Sequence, residues 1–101
     1  MIEIFSHRKG GKCRLFVTGH AEYCPGNDIV CAGVSALVGT LMQYAAHSAS
    51  YRRVRSHMQK GDAFFASADG AQDGFDMIVG GLAAIAAAYP DHVKVHSTVA
   101  E

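Results

Sequence analysis

The segment Cys13–Leu41, CRLFVTGHAEYCPGNDIVCAGVSALVGTL, changes its hydrophobic period once, and that change sets the fold class. At its start Leu15 and Val17 oppose Arg14 and Phe16, the period of two that marks a strand. Tyr23-Cys24-Pro25-Gly26-Asn27 reads as a loop by its turn chemistry. Asp28 then stands where a helix N-cap is expected. From Ile29 to about residue 50 there is no proline, and Val30, Val34, Leu37, Val38 and Leu41 recur at helical spacing. This helix is apolar over much of its circumference, which predicts burial on more than one face.

Outward from this strand–loop–helix unit the rest of the chain falls into place. Upstream, Met1–Ser6 alternates in the same way, with Ile2 and Ile4 on one side and Glu3 and Phe5 on the other. His7–Lys12 between the two strands reads as a hairpin turn. Downstream, Tyr51–Met58 reads as a strand, Lys60-Gly61-Asp62 as a second hairpin turn and Ala63–Ala68 as the returning strand. Asp69–Gly74 reads as a loop and Phe75–Tyr89 as a second, alanine-rich helix. Gly80 and Gly81 each weaken that helix by about 1 kcal/mol relative to Ala, so their presence predicts close approach of another backbone. Pro90 and Asp91 stop the helix, and His92–Val99 alternates as a last strand. The expected fold is therefore α/β (α+β), a single small domain over residues 1–101 in the order ββαββαβ, with two helices packed on an antiparallel or mixed sheet.

Nine Lys plus Arg balance nine Asp plus Glu. That balance argues against a general nucleic-acid or membrane-surface binder, and no direct nucleic-acid partner is expected. The N-terminus lacks the basic-then-apolar order of a signal peptide. No run is read as long enough for a membrane span, the most apolar stretch being Met77–Tyr89. The expected compartment is the cytoplasm, where thiols stay reduced, and three cysteines do not close a disulfide framework. A 101-residue domain has a modest core, so a homodimer with the second helix in the contact is expected.

Chemistry concentrates between His20 and Ser35. With Asp28 as cap, Cys31 is the third helical residue, where free N–H groups and the helix dipole favour an anion such as a thiolate. His20 ends the preceding strand, and a short loop can bring it back beside the helix start, to accept the thiol proton. Ser35 lies four residues after Cys31 on the same helix face. A cysteine in an apolar helix equally serves as a small core residue, and Ser35 equally bonds back to a helix carbonyl. Two rival chemistries are open. His20, Cys24 and Cys31 could ligate zinc, although no Cys-x-x-Cys pair is present, and Cys24 with Cys31 could form a redox pair. Arg52, Arg53, Arg55, His57 and Lys60 form the densest basic cluster, read as a solvated sheet face or as a contact for RNA or an acidic partner.

The run Gly19-His20-Ala21, a short glycine-containing loop, and then Asp28-Ile29-Val30-Cys31-Ala32-Gly33-Val34-Ser35-Ala36-Leu37 resembles the signature of the ribosomal-processing cysteine protease family, Prp. The similarity extends over the opening hairpin, the order of elements and Gly74-Phe75 after the second loop. The resemblance implies a small dimeric cytoplasmic cysteine endopeptidase of bacteria that needs no metal or other cofactor. Its implied substrate is the precursor of large-subunit ribosomal protein number twenty-seven, from which it removes an N-terminal extension. By position Cys31 would be the nucleophile and His20 the general base. Asp28 and Ser35 match supporting positions, and Gly26 falls in a flexible loop that would act as a lid. Cys24 is outside the pattern. First-turn N–H groups are the expected oxyanion donors, and Asp28 is a candidate orienter of His20. The alternative from a different class is a non-catalytic ribosome-associated binding module. Phe64-Phe65-Ala66-Ser67 also resembles the aromatic-then-small sequences that the family cuts, but its first reading is a half-buried strand.

Overall fold

Alternation of apolar and polar residues produces β1 (Ile2–Lys9) and β2 (Lys12–Thr18), paired antiparallel from Glu3 opposite Thr18 to Lys9 opposite Lys12. The strands run further than their sequence suggests, because Gly10-Gly11 alone makes the turn. Gly10 takes φ 56°, a left-handed angle that glycine adopts without a Cβ penalty, so His7, Arg8 and Lys9 stay in the ladder. The computed structural model describes residues 1–24, 28–47, 54–68 and 72–100. The remaining elements are α1 (Ile29–His47), β3 (Arg55–Gln59), β4 (Asp62–Ser67), α2 (Gln72–Ala88) and β5 (Val93–Ala100). The five strands form one mixed sheet in the order β3-β4-β2-β1-β5, with β5 parallel to β1 and the other neighbours antiparallel.

The core lies on one face of this sheet. Ile2, Ile4, Cys13, Leu15, Val17, Phe65 and Val93 point into it and are buried. Both helices cover that face. Val30, Val34, Val38, Leu41 and Ala45 form the buried stripe of α1, and Phe75, Ile78 and Leu82 that of α2. Phe65 and Phe75 stack at 6.4 Å between ring centroids, joining β4 to α2. Ser6 and Ser97 satisfy each other's hydroxyls at 2.9 Å, so a polar pair is tolerated at the core margin. Arg8 reaches from β1 to Asp76 of α2 at 2.8 Å.

Three expectations are corrected by the packing. First, α1 is fully buried along one stripe rather than on more than one face: Ile29 is 56% and Tyr44 60% exposed. By length and composition alone α1 is also long and apolar enough to cross a membrane, where the sequence reads as having no run long enough, with Met77–Tyr89 the most apolar stretch. Its apolar stripe here is spent on the sheet and α2. Second, α2 begins at Gln72, three residues before the expected start. Asp73 sits in its first turn, where an acidic side chain complements the helix dipole and offsets the cost of Gly74. Third, no backbone approaches the glycine pair. A Cβ on Gly80 would meet nothing within 4 Å, whereas one on Gly81 would lie 3.1 Å from Leu37 Cδ1. Gly33 in turn faces Ile85 Cδ1 at 3.4 Å from its would-be Cβ. The helices thus interlock a glycine on each against a branched side chain on the other.

β4 lies between β2 and β3, paired on both edges, and Phe65 is fully buried. The Phe64–Ser67 run is therefore an interior strand. Of the basic cluster, Arg52 and Arg53 lie outside the described residues, as does Tyr51 at the start of the expected strand, and β3 carries Arg55 and His57 on an exposed strand.

Candidate active site

The end of β2 and the start of α1 meet across a cleft of about 790 Å³, a size suited to a small ligand or a few peptide residues. Cys31, His20, Asp28 and Ser35 all line it. Val17, Val34, Val38, Met58 and Ala63 give it an apolar wall. Gly26 falls outside the described residues.

Asp28 fixes the helix start. Its Oδ1 accepts the N–H groups of Val30 at 3.0 Å and Cys31 at 2.9 Å, and its Oδ2 accepts that of Tyr23 at 3.0 Å. It is the N-cap its sequence position predicts, and it also ties the loop to the helix. The Cys31 N–H is the largest influence holding its carboxyl below the ordinary value of 3.8; burial opposes it, and the N–H groups of Tyr23, Cys24 and Val30 add smaller lowering effects. Two expectations change as a result. The Val30 and Cys31 N–H groups are already satisfied, so the first turn does not offer them freely to an oxyanion. The carboxylate is also committed to backbone, so it does not orient His20.

A carboxyl held low stabilises the fold above its ordinary value and loses that contribution as pH falls through and below about 3.8. We expect the hydrogen-exchange protection factors of Tyr23, Val30 and Cys31, corrected for the intrinsic rate, to fall on acidification through that window, and Asp28→Ala to show the lowered protection already at pH 7.

Cys31 Sγ accepts a hydrogen bond from the Ala21 N–H at 3.2 Å. The carbonyl of the same residue, Ala21, accepts from His92 Nδ1–H at 2.9 Å, with the tautomer assigned from that acceptor. His92 is held in turn through its backbone, its N–H bonding the Tyr89 carbonyl and its carbonyl accepting from Ile2 N–H, each at 2.9 Å. Tyr23 packs edge-on against both Tyr89 and His92, at 5.3 and 5.2 Å. The donor to the sulfur is thus the amide of a loop residue braced from the turn before β5, not the helix start. Ala21 and His92 were not found from the sequence. Nothing near His92 in the chain signals a partner 71 residues away.

His20 faces the cleft from the other side. Gly19 before it has φ 90°, and a Cβ there would lie 2.3 Å from the Met1 carbonyl oxygen, so only glycine fits. The Gly19 N–H bonds the Gly61 carbonyl at 3.0 Å, tying the end of β2 to the β3–β4 turn. Gly61 has φ 79°, and a Cβ on it would lie 2.8 Å from His20 Nε2. The imidazole therefore rests on a bare backbone. No hydrogen bond joins His20 to Cys31 among the described residues. Catalytic contacts commonly tighten only around the substrate, so sharing a cleft is the relevant geometry.

All three cysteines are free: Cys13 buried, Cys24 exposed, Cys31 between the two. Among the described residues no group of three His, Cys, Asp or Glu side chains is placed to hold a metal. Burial pushes the Cys13 thiol up to about 11, Arg8 acting in the opposite direction and Asp76 adding slightly. Its neutral form belongs to the fold, so its contribution holds below the ordinary value of 9.0 and is lost as pH rises through about 11. At neutral pH a thiol reagent should label Cys24 and Cys31 in the native protein, and Cys13 only after unfolding. Intact mass before and after denaturant reads this directly.

The profile of the family described as Cysteine protease Prp matches residues 1–94. The chain belongs to that family. It is a cysteine peptidase on that membership. Among solved structures, the S. aureus ribosomal processing protease Prp with a covalently linked product peptide aligns at a TM-score of 0.84 and 24% identity, over 96% of this chain and 99% of that one. The S. aureus Prp protease with a substrate peptide aligns at 0.80 and 24%, with the same coverage. A Streptococcus mutans protein aligns at 0.75 and 23%, over 98% of this chain and 95% of its own. At these identities the likeness speaks for the fold. Comparison with curated protein sequences finds no match.

Proposed function

We propose that this Prp-family peptidase is an endopeptidase that removes the N-terminal extension of the precursor of large-subunit ribosomal protein number twenty-seven, with Cys31 as nucleophile and His20 as general base. The observation that carries the reading is that Cys31, His20 and Ser35 line one cleft in a chain of the cysteine protease Prp family. The S. aureus relatives, described as ribosomal processing proteases with bound peptides, support the substrate class. The reading carries with it a cytoplasmic homodimer with α2 in the contact.

In this mechanism His20 takes the proton from the Cys31 thiol, and the thiolate attacks the scissile carbonyl carbon. The S–C bond forms and the carbonyl π pair moves to oxygen. As the tetrahedral species collapses, the C–N bond breaks and His20 returns the proton to the departing amine. Water, deprotonated by His20, then attacks the thioester and frees Cys31. The Ala21 N–H bonds the sulfur that makes this attack. With the Val30 and Cys31 N–H groups held by Asp28, the Ser35 hydroxyl is our candidate donor to the oxyanion. Ser35→Ala should then lower kcat about tenfold or more with little change in KM.

The test uses the precursor of that ribosomal protein from the same genome, read by intact mass. A single cut near its N-terminus supports the assignment. A precursor left intact by enzyme that still cleaves other peptides removes the substrate and leaves the peptidase.

A further inference from the structure

The sheet face away from the helices carries a pattern that the peptidase reading does not use. Its register places His57, Phe64, Phe16, Phe5 and His96 directly opposite one another, one from each strand. Five rings thus cross the whole sheet in one row. Phe5 stacks on His96 at 4.7 Å and 12°, and Phe16 meets Phe64 at 4.8 Å. Phe5 is 43% and Phe16 44% exposed, although phenyl rings at the centre of a sheet are ordinarily covered.

Most of the charge on this face is divided by that row. On one side lie its two described acids, Glu3 and Asp62, each engaged by a ring at an end of the row, with Lys94 set opposite Glu3 by the register. His96 meets Glu3 at 3.3 Å and His57 meets Asp62 at 3.1 Å. On the other side the register aligns Arg55, Arg14 and His7, with Lys12 and Lys9 in the next row. Among the described residues no acid shares that half, and none of these five side chains has an ion pair. The whole chain is neutral, so this is a local segregation of charge.

We infer that this face binds single-stranded RNA, its bases stacked on Phe5, Phe16 and Phe64 and its phosphates on Arg14, Arg55, Lys9 and Lys12. Unpaired bases offer flat faces that sequence-tolerant aromatic platforms take up, and a flanking cationic row tracks the backbone. A second copy of the chain is the poorer occupant. Face to face, five cations would meet either each other or two acids already paired. The inference is independent of the protease assignment and departs from the expectation of no direct nucleic-acid partner.

The experiment is fluorescence anisotropy of a labelled twelve-nucleotide uridine RNA against the full chain, repeated over a salt series. Four phosphate contacts predict a slope of log affinity against log salt near −2.8, about −0.7 per contact. Arg14→Ala or Arg55→Ala should weaken binding and flatten that slope by about 0.7. Phe16→Ala should weaken binding about 5- to 150-fold at unchanged slope. These side chains lie on the open face, so melting temperature and cleavage of a short peptide should hold in all three variants. A protein without peptidase activity would still give the binding result. Absence of binding at low salt, or binding indifferent to Phe16→Ala, overturns the inference. So does sedimentation showing that Phe16→Ala turns a dimer into monomers, because a second copy would then own the face.

Discussion

Cys31→Ser is expected to abolish peptide-bond cleavage, with a fall in kcat on the order of 10⁴- to 10⁶-fold. The size follows from the step lost. In the proposed mechanism only Cys31 Sγ forms a bond to the scissile carbon, and a serine hydroxyl beside the same histidine stays protonated and weakly nucleophilic. The substitution is also a clean one. Cys31 is only half-buried, and among the described residues its sulfur accepts one hydrogen bond, from the Ala21 N–H. Serine keeps an acceptor there, so the melting temperature should barely move. Cys31→Ala should be equally inactive but less stable, because it leaves the Ala21 donor without a partner at a cost of about 1 kcal/mol. A steady-state assay beside a thermal melt separates the two effects.

The second large effect is expected at His20 and at the glycine beneath it. His20→Ala should lower kcat/KM by about 10²- to 10⁴-fold, the range of a lost general base. Added imidazole should restore part of that activity, because the space it vacates opens onto the cleft. Gly61→Ala is the informative companion. Its methyl group would arrive 2.8 Å from His20 Nε2, at a residue with φ 79°. The ring must shift or the turn must give. An ångström of misplacement can cost about 100-fold in rate, so we expect a fall of ten- to a hundredfold. Imidazole should not rescue this variant, since the native ring still fills the site. Equal rescue of both would show that Gly61 acts on something other than His20.

Sequence carried much of this, and its failures have physical reasons. Period-two alternation at Ile2–Phe5 and Arg14–Val17 delivered the hairpin, and Asp28 marked the helix start because a capping carboxylate works through near neighbours. Each of these signals is local. The misses concern distance. Gly81 faces Leu37, forty-four positions away, so its neighbour could not be typed as side chain or backbone from the helix alone. His92 braces Ala21 across the sheet, and Gly61 supports His20 from another hairpin. At the cleft, sequence selected Cys31, His20, Asp28 and Ser35 but gave Asp28 too many tasks, since one carboxylate cannot hold the Tyr23, Val30 and Cys31 amides and also serve an imidazole. The ring row on the open face is the clearest case. Phe5, Phe16 and Phe64 look like three separate strand aromatics until the order β3-β4-β2-β1-β5 puts them opposite one another.

The central claim is that Cys31 is the nucleophile. The most direct measurement is site-resolved alkylation: native enzyme is titrated with iodoacetamide, residual cleavage is followed, and each cysteine's modification is mapped by peptide mass. The account predicts that activity falls in proportion to carboxamidomethylation of Cys31, while Cys24 modification alone leaves it unchanged and Cys13 stays unmodified. Full alkylation of Cys31 with cleavage retained, or loss of cleavage that follows Cys24 instead, would contradict it.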